Sequence, residues 1–174
     1  MNTEVMRLMS ETIHAFRLPR YSELPNMGLY LEQVVKYINS TLAPLRCPEI
    51  TGSMISNYVK KGLIEKPVKK QYYAEHVAYL IFIVLAKNLV TIEDIRLMIS
   101  MQRRRYTPLV AYNYLADEME NVLYYISGLK DHLDNFGQTV SDEKDLLRDL
   151  IFSVAYMIRM NLFFVHMRTS DAEP

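Results

Sequence analysis

Cysteine is almost missing: Cys47 is the only one in 174 residues. A lone thiol can form neither an internal disulfide nor a multi-cysteine zinc site, and a reducing, cytoplasmic compartment is the simplest expectation. Glycine and proline are also scarce, at 5 and 7, too few for a loop-rich or low-complexity chain. The longest apolar run, from Val77 to Ala86, has about half the length of a membrane span. Leu150 to Met167 is greasy too, but Arg159, Asn161 and His166 interrupt it, so it reads as a packed helix. Glu4, Arg7 and Glu11 break the N-terminus where a signal core would be apolar. His14, His76, His132 and His166 are scattered and make no H-x-x-x-H pair, so no metal site is expected. Neither a glycine-rich phosphate loop nor a pair of catalytic carboxylates is evident. The expectation is a protein that is not an enzyme and needs no cofactor.

What is abundant favours helix. Half the residues are hydrophobic, enough for a core without staples, and Tyr reaches 13. Net charge is zero, yet the halves differ. Residues 1–105 hold 15 Lys+Arg against 9 Asp+Glu, and residues 106–174 hold 5 against 11. Such asymmetry suggests that the first half meets a polyanion. Chance partition is the plainer alternative.

Apolar spacing predicts helices over residues 1–16, 29–42, 52–61 and 74–88, with 18–27 a proline-punctuated connector. The helix over 74–88 is apolar nearly all round and belongs at the centre. Thr91 N-caps a further helix that ends in Arg103-Arg104-Arg105, and Thr107-Pro108 starts another. The latter carries a heptad-spaced seam of Tyr112, Leu115, Met119, Val122 and Ile126. After a polar connection from Leu129 to Val140, Ser141 caps a final long helix. Its seam is Leu147, Leu150, Val154, Met157, Asn161 and Phe164.

The helix after Thr51 divides into two stripes. Met54, Ile55, Tyr58 and Val59 form one; Ser53, Ser56, Asn57 and Lys60 form the other. Gly62 stands where a left-handed cap would close it. Leu63 to Tyr73 reads as a small basic hairpin around Lys66, Lys69 and Lys70, although no Asn-Gly turn marks it. The segment Thr51-Gly-Ser-Met-Ile-Ser-Asn-Tyr58-Val-Lys-Lys-Gly62-Leu63-Ile64 resembles the recognition helix, and its exit, of MerR-type regulators. Tyr73-Ala-Glu-His-Val77 resembles the pattern just after their wing, and Val90 to Ile99 the helix that closes their DNA-binding domain. Leu18-Pro-Arg-Tyr-Ser-Glu-Leu-Pro25 through Leu29-Tyr30 resembles the start of an uncharacterised bacterial family with a MerR-like domain. The sequence departs from the MerR pattern at Ser56 and Asn57, where an arginine and an aromatic are usual.

The resemblance implies a winged helix-turn-helix that binds duplex DNA. A groove-reading helix needs short polar side chains and a few cations facing the bases. Asn57 could bridge an adenine edge, and Lys60 could reach guanine or phosphate. Ser53 and Ser56 share their face. Lys61, Lys66, Lys69 and Lys70 could anchor phosphates, with Tyr58 and Tyr72 as hydroxyl donors. The same lysines also fit a solvated face, and Tyr58 equally fits the core.

The expected fold is all-α with a minor two-stranded wing. Residues 1–17 would be an N-terminal helix, 18–105 the MerR-like DNA-binding domain, and 106–174 a helical hairpin. That hairpin would dimerise the protein through the Leu147–Phe164 seam, or its two seams would fill each other within one chain. Met and Tyr could line a pocket for a small-molecule effector there, although core filling explains them as well. The expected function is a sequence-specific transcriptional regulator acting as a homodimer. An interaction adaptor that keeps the fold without DNA binding is the alternative.

Overall fold

The structure, a computed structural model, describes residues 3–136 and 141–170. Residues 137–140 of the expected polar connection lie outside them. Among the described residues there are seven α-helices: α1 (Thr3–Ala15), α2 (Leu31–Leu42), α3 (Gly52–Lys60), α4 (Ala74–Ala86), α5 (Ile92–Arg105), α6 (Pro108–Ile126) and α7 (Asp142–Ser170). Extended pairing is confined, among the same residues, to two isolated antiparallel bridges, Leu29 with Tyr72 and Val68 with Gln71.

The helix ends obey local chemistry. Thr51 accepts from the Met54 amide and Thr107 from the Val110 amide, each satisfying one orphan donor of a first turn. Thr91 and Asp94 cap α5 reciprocally: Thr91 Oγ1 accepts from the Asp94 amide, and Asp94 accepts from the Thr91 amide and hydroxyl. Ser141 Oγ accepts from the Lys144 amide at the start of α7. Gly62, at φ 70°, closes α3. Its amide bonds the Val59 carbonyl, while the Leu63 amide reaches back to Tyr58. A residue with a Cβ would be strained in that conformation.

Helix α4 is the centre. From His76 to Ala86 only Phe82 is more than marginally exposed. Around it α2 contributes Val34, Ile38 and Leu42, α5 contributes Ile95 and Ile99, and α6 buries Tyr112, Leu115, Met119, Val122 and Ile126. The longest helix, α7, packs on α6 and α1. One hydrophobic cluster runs from Val5 to Leu162, so the three expected stretches share a single core. Helix α7 is apolar and long enough to cross a bilayer by length and composition. Here its inner face, with Ile151, Ala155, Ile158 and Leu162, is buried in that core.

A polar clasp ties Lys130, Asp134 and α7 to α6. Glu118, buried at 1% exposure, pairs with Arg148 at 2.8 Å and accepts from Asn121. Asn121 accepts from the Asp134 amide and from Lys130, and donates to the Asp134 carbonyl. Lys130 and Asp134 also pair with each other. On the other side of α6, Arg20 pairs with Glu120 and Asp117, and the Leu18 amide donates to Glu120. These bonds hold the chain leading to α2 against α6.

Candidate nucleic-acid interface

The α3 sequence puts its two stripes on opposite sides. Ile55 is fully buried and Tyr58 nearly so, with Met54 and Val59 partly covered. Ser53, Ser56, Asn57 and Lys60 are all exposed on the other face. Burial of the inner stripe is what aims the outer one at solvent.

Three contacts fix that orientation. The Asn39 side chain on α2 donates to the Ile50 carbonyl at 3.0 Å and accepts from the Ile50 amide at 2.9 Å. It thereby pairs with the chain leading into α3 as a neighbouring strand would. At the other end Arg96 on α5 donates to the Lys61 carbonyl at 2.8 Å. The third contact is the turn at Gly62. Neither Asn39 nor Arg96 stood out in the sequence. Asn39 merely interrupts an apolar helix face, and Arg96 looks like a surface cation until α5 is placed beside α3.

The basic segment forms a tight turn. Val68 and Gln71 exchange both backbone hydrogen bonds, at 2.9 and 3.0 Å, leaving Lys69 and Lys70 as the two turn residues. Both are left-handed, at φ 49° and 64°, the geometry that hairpins with two-residue loops require and that Asn-Gly adopts with least strain. A non-glycine residue there costs about 1–2 kcal/mol. Tyr72 pairs with Leu29 through two backbone bonds of 2.8 Å, tying the hairpin to the approach to α2. Gly28 permits that approach, because a Cβ there would lie 2.7 Å from the Gln71 Cβ.

Lys60, Lys61, Lys66, Lys69 and Lys70 are all exposed, and no ion pair among the described residues engages them. Glu65, between them, is drawn to Arg103 at 3.3 Å. One acid opposes the cationic surface: exposed Glu32 lines a shallow groove with Ser53 and Ser56.

Two tyrosines turn inward. Of the two hydroxyls considered for phosphate, Tyr58 takes the core alternative and Tyr72 departs from the expectation: they are only 4% and 5% exposed. Their rings pack in the core and burial raises both phenol pKa values. The apolar stripe of α3 and the Leu29 pairing draw them inward. Cys47, next to Arg46 in the chain, is largely covered. Burial pushes it up to about 11, and the only opposing cation is Lys87. It is a protonated thiol at neutral pH.

The α7 seam splits. Leu150 and Val154 are buried within the chain and Leu147 is half-buried. Met157 and Asn161 are half-buried, and Phe164 is 52% exposed. The helix rotates its deepest face one step, to Ile151, Ala155, Ile158 and Leu162, because both α1 and α6 cover it. Tyr156, Met160 and Phe164, four residues apart, form an exposed apolar stripe on the outside.

Residues 19–115 match a family described as a domain of unknown function, DUF1836. The match spans the connector before α2, helices α2 to α5, the hairpin and the first part of α6. No curated protein and no solved structure is significantly similar to the chain.

Proposed function

We propose that this chain, which belongs to the DUF1836 family of domains of unknown function, binds duplex DNA and regulates transcription. In this reading α2 and α3 form a helix-turn-helix similar to that of MerR-type regulators, and the Lys69-Lys70 hairpin is its wing. The observation that carries the reading is the outer side of α3. A short helix presents Ser53, Ser56, Asn57 and Lys60 to solvent, while the four lysines beyond it make no ion pair among the described residues. Asn57 has the donor and acceptor to bridge an adenine edge, and Lys60 can reach guanine or phosphate. Lys61, Lys66, Lys69 and Lys70 supply phosphate contacts, which fix position without reading sequence.

A duplex reader built on one short helix gains from a second copy, because two half-sites then bind together. With Leu150 and Val154 occupied inside the chain, the outer stripe of Tyr156, Met160 and Phe164, flanked by Met157 and Asn161, is the surface that remains for a homodimer. Selection from random duplex DNA, with anisotropy titration of the winner at several salt concentrations, tests the function. A motif bound with affinity that falls steeply with salt supports it. Equal, weak binding to all sequences at low salt overturns it.

A second reading, an adaptor that keeps this fold without binding DNA, is favoured by Ser56 in place of an arginine and by Glu32 beside it. Pulldown partners whose binding is insensitive to salt, with no selected motif, would favour the adaptor.

A further inference from the structure

The two limbs of the basic hairpin are joined at its base by a side chain. Beside the turn, Val68 and Gln71 exchange both backbone bonds. In an antiparallel pair the next such exchange falls two residues further along each limb, which here means Lys66 and Tyr73. Among the described residues neither of those bonds is made directly. The imidazole of His76, at the start of α4 and 8% exposed, lies between the two instead. Its Nδ1 is 3.0 Å from the Tyr73 amide, which can only donate, so Nδ1 is an acceptor. In the neutral ring the proton then sits on Nε2, which faces the Lys66 carbonyl at 3.4 Å. The ring relays one bond of the ladder, accepting from one limb and donating to the other. The Tyr72 ring meets it edge-on at 5.5 Å between centres, and the Tyr73 ring lies at 6.5 Å.

Only a neutral imidazole can act in this way. It offers one acceptor and one donor, whereas the imidazolium offers two donors. A proton on Nδ1 is set against the Tyr73 N–H, and that amide loses its partner. The same bond caps α4, since Tyr73 is the N-cap and His76 the third residue of the helix. Little else holds the hairpin. Its turn is two left-handed lysines, and its other backbone pairs are Val68 with Gln71 and Tyr72 with Leu29. The charged groups on the surrounding elements are Glu75 on α4, Lys66 on the hairpin limb, and Glu65 paired with Arg103 of α5. No ion pair among the described residues engages His76.

We infer that His76 is a latch on the hairpin, closed by a neutral ring and opened by a proton, and that its opening weakens DNA binding by releasing Lys66, Lys69 and Lys70 from a fixed position. The closed hairpin holds the neutral ring, so protons and closure compete, and acid favours the open form. The effect on DNA rests on the DNA-binding reading above; the latch itself does not.

The full chain, labelled with nitrogen-15, tests the latch by magnetic resonance between about pH 5 and 8, the range in which histidine side chains change charge. At the alkaline end the ring nitrogen shifts of His76 are expected to place its proton on Nε2. A proton on Nδ1 overturns the relay. As His76 is protonated, protection of the Tyr73 amide from hydrogen exchange is expected to fall about ten-fold, the loss of one hydrogen bond, while the Leu80 amide within α4 keeps its protection. His76→Gln carries an acceptor and a donor that do not titrate, and is expected to keep Tyr73 protected throughout. His76→Leu, which can make neither bond, is expected to leave it unprotected at every pH. Tyr73 protection that ignores protonation of His76, or that survives in His76→Leu, overturns the latch. So does a pH response that persists in His76→Gln, where His14, His132 and His166 still titrate. Anisotropy titration of a selected duplex tests the consequence. Acidification is expected to weaken binding about five-fold or more in the native chain, the lower end of ordinary allosteric coupling, and much less in His76→Gln. Equal pH dependence in the two chains overturns the effect on DNA alone. A chain whose latch opens but which binds no DNA refutes the proposed function and leaves the latch standing.

Discussion

Helices α3 and α7 pose opposite problems. The first has nine residues and the second 29. In α3 the residue types agree with position: every exposed residue on the outer stripe is polar or cationic, and Ile55 and Tyr58 anchor the inner one. In α7 apolar residues lie inside and outside alike, and Tyr156, Met160 and Phe164 face solvent opposite a buried Ile151, Ala155, Ile158 and Leu162. A short amphipathic helix has one way to sit against a core. A long helix with excess apolar surface has several, and its neighbours decide between them.

The sharpest way to break this contrast is to empty one anchor on each helix. Ile55→Ala is expected to cost about 2–5 kcal/mol in urea unfolding, as full burial implies. Phe164→Ala, at an exposed site, is expected to change stability by less than about 0.5 kcal/mol in dilute protein. If Phe164→Ala costs more as protein concentration rises, a second copy covers the stripe, and sedimentation should show the dimer weakened. A monomer at every micromolar concentration would remove the dimer.

Next in size is the clasp under α7. Arg148→Met leaves the buried Glu118 carboxylate with Asn121 alone. Removing one partner of a fully buried ion pair costs about 3–5 kcal/mol. With Arg148 still 38% exposed, about 2 kcal/mol is expected in chemical unfolding. A loss within error would mean that the pair does not hold α7 down.

On the α3 side Asn57→Ala is expected to lose about 1–3 kcal/mol of discrimination at one base pair per half-site, with stability unchanged. Repeating the selection checks it; an unaltered motif removes Asn57 as a base reader. Smaller still, Lys69→Ala with Lys70→Ala should weaken all duplexes alike and flatten log affinity against log salt by about two units. The smallest effect is expected from Glu32→Gln. Removing the one acid beside Ser53 and Ser56 should tighten DNA binding a few-fold at low salt, an effect that fades as salt rises.

Much of this was legible in the sequence where one residue type has one use. Thr51, Thr91, Thr107 and Ser141 announced their helices, Gly62 its turn, and the all-round apolar α4 its central place. The basic segment does turn back on itself, but the expected two-stranded wing is reduced to a single bridge, Val68 with Gln71, and its turn of two left-handed lysines contradicts the usual turn chemistry. Long-range pairings were invisible. Nothing local says that Asn39 meets Ile50, that Arg96 meets Lys61, or that Tyr72 pairs with Leu29 and so turns inward. The α7 seam was only partly legible for a related reason. Spacing of three and four fits two adjacent faces of an apolar helix, and only the packing of α1 and α6 chooses between them.

The contact between α1 and α7 has a consequence for how the protein is made. Val5, Met9 and Ile13 on α1 are buried, and α7 is a principal neighbour of that helix. During synthesis α1 leaves the ribosome before the other described helices, and α7 is the last of them to emerge. At about 5–20 residues per second, the apolar face of α1 waits several seconds or more for its cover. Over that interval α2 to α5 can assemble around α4 from contacts close in the chain. The nascent protein therefore carries a sticky first helix beside a nearly finished middle, which is when a chaperone that recognises short apolar helices would have its window.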